Sequence, residues 1–147
     1  MLIITIIQKN YLTLFGKYYH DKRINAVINI MLFCKEFRFD AAHKMENYKG
    51  KCGSLHGHTY KLQVCLQGNI KQNGLMLDLQ EYNDFKKIVN EKIVNALDHT
   101  FINDVIHESS SLENLSIWIW NQLKDFLPLY EIKLWETPTT FVAYSGK

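Results

Sequence analysis

The sequence predicts an α+β fold: a four-stranded antiparallel sheet with two helices on one face, in the order β-β-α-α-β-β. Three observations predict it. Early in the chain, Phe33 to Ala42 and His58 to Leu66 place apolar residues at alternate positions. In the middle, two stretches repeat apolar residues near a 3.6-residue period. At the end come two more extended runs, separated at Pro138. Strands grouped at both ends with helices between them fit an antiparallel sheet better than alternating βαβ units.

The first strand carries Phe33, Phe37, Phe39, Ala41 and His43 on one parity, with charges at Lys35, Glu36, Arg38 and Asp40 interrupting the aromatic stripe. Lys44 to Gly57 reads as a loop, punctuated by Asn47, Gly50 and Gly53. In the second strand Tyr60, Leu62, Val64 and Leu66 share the parity of His56 and His58. Gly68 to Gly74 is a turn. Asp78 then caps a helix, and Glu81, three residues on, completes a capping box. The apolar face of this helix is Leu79, Tyr82, Phe85, Ile88, Val89, Ile93 and Leu97. A second helix runs from Ser110 to Phe126, with Leu115, Trp118, Ile119, Leu123 and Phe126 apolar, and Pro128 helps stop it. Tyr130 to Glu136 and Thr139 to Tyr144 are the last strands. Such a sheet leaves open edges, which proteins normally cover or pair.

At 147 residues the chain is one domain with room for a single good core. A net charge of +2 with no basic stripe gives no reason to expect a nucleic-acid partner. No apolar run approaches the roughly 18 residues of a membrane helix, so no membrane partner is expected. Cys34, Cys52 and Cys65 are odd in number and lack the spacing of a disulfide framework, which suits a reducing cytoplasm. Residues 1–30 stand apart. Leu2 to Ile7 is too short for a secretory signal and has no basic stretch before it. We read residues 1–30 as a translation artefact without assigned chemistry, and residues 31–147 as the domain.

Three histidines carry the chemistry. His56 and His58 flank Gly57, and in a strand that spacing turns both imidazoles to one face. His43 ends the preceding strand on its apolar parity. If the strands pair, three imidazoles converge. Three neutral imidazoles leave the fourth tetrahedral position of Zn²⁺ open, the pattern of a catalytic site. Cys52 lies four residues before His56, between Lys51 and Gly53. It is a candidate fourth ligand, a nucleophile or base beside the metal, or a small buried hydrophobe.

The stretch FRFDAAHKMENYKGKCGSLHGHTYKLQVCL, from Phe37 to Leu66, resembles the 6-pyruvoyl-tetrahydropterin synthase family, closest to its 6-carboxy-tetrahydropterin synthase branch. Leu97-Asp98-His99, Ser111-Leu112-Glu113-Asn114 and Trp135-Glu136-Thr137 match further family segments in order, over about residues 31–147. The four-residue spacing from Cys52 to His56 is that of the carboxy branch; the pyruvoyl branch has six. The resemblance implies the tunnelling fold (T-fold), in which sheets of three subunits join as a barrel and two barrels stack as a hexamer. It implies His43, His56 and His58 as zinc ligands, Cys52 as general base, and Asp98 with His99 as a second acid–base pair. It implies Glu136, and more weakly Glu113, as acceptors for the pterin's donor edge. Glu113 also stands three residues after Ser110, where a capping box would explain it. Leu112 departs from the family, which usually has a hydroxyl residue there. The activity implied is a lyase of queuosine biosynthesis acting on 7,8-dihydroneopterin triphosphate. The alternatives are 6-pyruvoyl-tetrahydropterin synthesis, or a non-catalytic zinc protein with Cys52 as fourth ligand.

Overall fold

The computed structural model describes residues 30–147, so the predicted extension lies outside the described residues except for Ile30, which opens the first strand. That strand, β1 (Ile30–His43), pairs antiparallel with β2 (His56–Asn69) without interruption, from Ile30 opposite Asn69 to His43 opposite His56. The alternation in sequence is the cause. Phe37, Phe39, Ala41, Tyr60, Leu62, Val64 and Leu66 all turn to one face and are buried. A slip of one residue would turn every one of them outward, so burial holds the register. β4 (Leu129–Thr137) lies beside β2, and β5 (Thr140–Tyr144) beside β4.

The sheet has five strands where four were expected, in the order β3-β1-β2-β4-β5. The extra strand, β3 (Thr100–Phe101), runs parallel to β1 opposite Ala41 and Ala42. Two residues are too short to leave any periodic signal.

Both main helices cover the apolar face. α1 (Leu79–Val89) starts at the predicted capping box: the Asp78 carboxylate accepts from the Glu81 N–H, and the Glu81 carboxylate accepts from the Asp78 N–H. It continues through a π-helical turn, Asn90–Val94, into a final α-helical turn, Asn95–Leu97. The π turn answers a pattern in the sequence. Phe85, Val89, Ile93 and Leu97 repeat every fourth residue, and all four are buried. A helix of 3.6 residues per turn would rotate the last of them about 120° away from the first. One wide turn absorbs most of that drift, leaving about 20°. Leu79, expected on this face, is exposed at the mouth of the helix.

A short helix, α2 (Ile102–Val105), buries Ile102, and α3 (Leu112–Leu123) buries Leu112, Leu115, Ser116, Ile119 and Leu123. Ser111, not Ser110, is the N-cap of α3, and its hydroxyl accepts from the Asn114 N–H. The expected capping box through Glu113 is therefore not formed. Phe126 lies beyond the helix and is exposed, with the Lys92 ammonium 3.8 Å from its ring centroid.

Cys34 and Cys65 form a disulfide between directly opposed positions of β1 and β2. This corrects the expectation of unpaired thiols. Residues 31 apart in sequence become neighbours only when the strands pair, which spacing along the chain does not reveal. Among the described residues no helix is long and apolar enough to cross a membrane.

Candidate metal centre and active site

The end of the β1–β2 ladder brings the three histidines together. His43 and His56 are directly opposed, and His58 faces Ala41 two positions further along. One ring nitrogen from each lies within 4.8 Å of the others. The spacing His-Gly-His does this because alternate residues share a face. Gly57 between them sits where a Cβ would approach the Ala41 carbonyl oxygen to 3.2 Å.

Backbone carbonyls orient two of the rings. His43 Nδ1 donates to the Ser110 carbonyl and His56 Nδ1 to the Ser54 carbonyl, each at 2.8 Å. A carbonyl only accepts, so both protons sit on Nδ1 and both Nε2 atoms carry lone pairs. These Nε2 atoms face each other at 3.0 Å. Two neutral acceptors at that distance repel. A hydrogen bond between them would require one ring to be an imidazolium, whereas a cation between them satisfies both. His58 Nε2 is buried without a hydrogen-bond partner. Burial lowers the pKa of His58, an effect partly opposed by the Glu136 carboxylate and reinforced by the other two imidazoles. The ring is held in its neutral, ligand-competent form. The residues thus fit a divalent metal such as Zn²⁺, whose histidine ligands characteristically donate their second N–H to a carbonyl or carboxylate.

Glu136 reaches the same place. One of its carboxylate oxygens lies 3.2 Å from His43 Nε2 and 3.4 Å from His58 Nε2. The pairing of β4 with β5 slips by one residue between Trp135 and Thr137, so Glu136 is the extra residue of a β-bulge. Bulges re-aim side chains beside functional sites. Tyr60 walls the centre, edge-on to His43 and His58 and stacked on Phe39. Burial raises the pKa of its hydroxyl well above the usual range, and Glu136 adds to the rise.

Asp98 and His99 form a second group. Asp98 Oδ1 accepts from His99 Nδ1 at 3.0 Å and from the Asp40 N–H at 2.9 Å. These contacts, the Asp40 N–H first, hold the Asp98 carboxyl below its ordinary pKa. His99 takes the left-handed conformation, φ 59°, and its own N–H donates to the Asp40 carbonyl at 2.6 Å. The pair is thereby docked on β1 three residues before His43. An open cleft of about 710 Å³ has both His58 and His99 on its walls.

Cys52 and Glu113 are not in contact with these groups. Cys52 occupies a 3₁₀ turn, Lys51–Gly53, with its thiol exposed, and lies outside the cluster of imidazoles. Its carbonyl accepts from the Met45 N–H at 3.0 Å, which closes the loop. Glu113 is exposed on the first turn of α3. Leu112, at the family's hydroxyl position, is buried in the core. Ser54, Ser110 and Tyr60 were not foreseen as parts of the site. The two serines act through carbonyls, which every residue has, and Tyr60 reads in sequence as an ordinary core position.

The family model for 6-pyruvoyl tetrahydropterin synthase matches residues 33–147. The chain is 37% identical over 134 residues to the 6-carboxy-5,6,7,8-tetrahydropterin synthase of Haemophilus influenzae, covering 75% of this chain and 95% of that protein. It is 38% identical over 128 residues to the 6-pyruvoyl tetrahydrobiopterin synthase of Dictyostelium discoideum, covering 74% and 91%. The solved 6-pyruvoyl tetrahydropterin synthase of Caenorhabditis elegans superimposes with a TM-score of 0.72 at 26% identity, over 82% of this chain and 98% of that one. The expected T-fold and the expected enzyme class, a lyase, are those of these relatives. By a match that covers all but the first strand's opening residues of the described chain, the protein belongs to the 6-pyruvoyl tetrahydropterin synthase family.

Proposed function

We propose that the chain is a zinc-dependent lyase that converts 7,8-dihydroneopterin triphosphate and water to 6-carboxy-5,6,7,8-tetrahydropterin, acetaldehyde and triphosphate, within queuosine (7-deazaguanine) biosynthesis. The observation that carries it is the convergence of three imidazoles, two of them locked with Nε2 lone pairs inward. The choice of the carboxy product is supported by the four-residue spacing from Cys52 to His56 and by the name of the Haemophilus influenzae relative.

When bound, zinc supplies Lewis acidity to the hydroxyls of the substrate side chain. The protein's own residues do the rest. Cys52 takes a proton from the activated carbon as its thiolate, and its exposed position lets substrate reach it. Asp98 fixes the His99 ring and stabilises its cation, so that His99, on the wall of the cleft, moves a second proton. Glu136 accepts the pterin's 2-amino and N3–H edge, with Glu113 a further acceptor. The protein assembles as a hexamer of two trimers through its sheet edges and acts in the cytoplasm, where the Cys34–Cys65 bond has to persist against a reducing milieu.

Purified protein incubated with 7,8-dihydroneopterin triphosphate and read by mass spectrometry tests this. The expected products are 6-carboxy-tetrahydropterin and acetaldehyde. A 6-pyruvoyl product without acetaldehyde assigns the sister activity, which the Dictyostelium discoideum relative carries by name. No turnover with stoichiometric zinc rejects both.

A further inference from the structure

Glu136 does not stand where a carboxylate reserved for a pterin ring alone would stand. Its oxygen is 3.2 Å and 3.4 Å from two of the three nitrogens that point into the metal centre, and those two are themselves buried or half-buried. Donors around a tetrahedral zinc at about 2.0–2.1 Å are separated from each other by about 3.3–3.4 Å. The His43–His56 separation of 3.0 Å and the two Glu136 separations fall close to that edge length. Glu136 is on the parity of Ile132 and Leu134, the core-facing residues of β4 that pair with Val64 and Leu62, so its side chain leaves the sheet on the same face as Tyr60 and His58. The charges agree as well. His43 keeps its proton on Nδ1, so its Nε2 offers the carboxylate a lone pair and no donor, and a cation between them removes the conflict.

We propose that Glu136 is itself a donor to the metal in the substrate-free protein, so that the centre rests with four protein ligands and opens only when Glu136 is drawn away. This inference rests on the metal of the proposed function. It also gives that function a control. The same carboxylate is the acceptor for the pterin edge, so the metal is freed for the substrate's hydroxyls only after a pterin has claimed Glu136. Small anions and solvent, which offer no donor edge, leave the centre closed.

The test uses the full chain with Co²⁺ in place of zinc, titrated with azide and followed by visible absorption, for the natural protein, Glu136→Ala and Glu136→Gln. If the open centre is populated at about a tenth or less, removing Glu136 raises the apparent azide affinity on the order of tenfold or more. Equal azide affinity in the natural protein and in Glu136→Ala overturns the proposal. If the variants do not fold, water-proton relaxation on the natural Co²⁺ protein decides alone: no bound solvent supports the proposal, and bound solvent overturns it. A thiolate-to-cobalt charge-transfer band would make Cys52 the fourth donor and overturn it too. Turnover is scored separately. A protein without lyase activity whose cobalt spectrum resists azide keeps Glu136 as a ligand and loses the lyase reading.

Discussion

At the scale of single residues, the convergence of the three histidines was legible because strand periodicity is simple. Any pairing of the two strands in the register that buries their apolar parity also unites His43, His56 and His58. What was not legible is the tautomer control by the Ser54 and Ser110 carbonyls, because main-chain groups carry no sequence signature. Cys52 is separable from that centre. Cys52→Ala should keep stoichiometric zinc by metal analysis while lowering turnover by about 10²–10⁴-fold, the usual contribution of a proton-transfer group. Asp98 makes a pH prediction. Its folded pKa is depressed below the ordinary 3.8, chiefly by the Asp40 N–H and then by His99. A depressed carboxylate contributes stability that is present above the unfolded pKa and lost as pH falls through the folded one. Urea midpoints of the natural protein and Asp98→Asn should therefore differ at neutral pH and converge as pH drops below about 4.

At the scale of elements, four strands and two helices followed from pattern, and their caps from the Asp78/Glu81 pair and Pro128. The departures have physical causes. A strict four-residue repeat looked like a plain helix, but burying Phe85, Val89, Ile93 and Leu97 together needs the wide turn Asn90–Val94. Ile93 lies in that turn and is fully buried, so Ile93→Ala should cost about 2–5 kcal/mol in urea unfolding. The loop that carries Cys52 depends on Gly53. A Cβ there would stand 2.2 Å from the Tyr48 carbonyl oxygen, which is main chain and cannot swing aside. Gly53→Ala should leave the β1–β2 core intact by circular dichroism and still lower kcat, because the turn bearing the thiol must move.

At the scale of the whole molecule, the sheet ends in β3 on one side and β5 on the other, both short, and its helix-free face carries Arg38, Lys61, Glu131 and Lys133 beside Trp135 and Phe141. Lys61 lies 3.9 Å over the Trp135 ring. Open edges call for pairing, and the family resemblance implies that the pairing makes a hexamer: light scattering should report one. Residues 30–147 supply the five strands and the helices described above and the three convergent histidines. A chain beginning at Met31 should therefore assemble, bind zinc and turn over like the full chain. Aggregation of the shorter chain alone would show that residues 1–30 cover a sheet edge.

The Cys34–Cys65 bond has a consequence for the unfolded protein. The ring it closes spans 31 residues of sequence separation and contains His43, Cys52, His56 and His58. Loop-closure entropy alone assigns such a ring roughly 3–4 kcal/mol of stabilisation, so a reductant or Cys34→Ser should lower the urea midpoint accordingly. The same ring keeps all three imidazoles at high mutual concentration when the rest of the chain has melted. In effect the oxidised chain is a macrocyclic chelator before it is a folded protein. Zinc should therefore be retained by the denatured, oxidised chain at concentrations where the denatured, reduced chain has already released it.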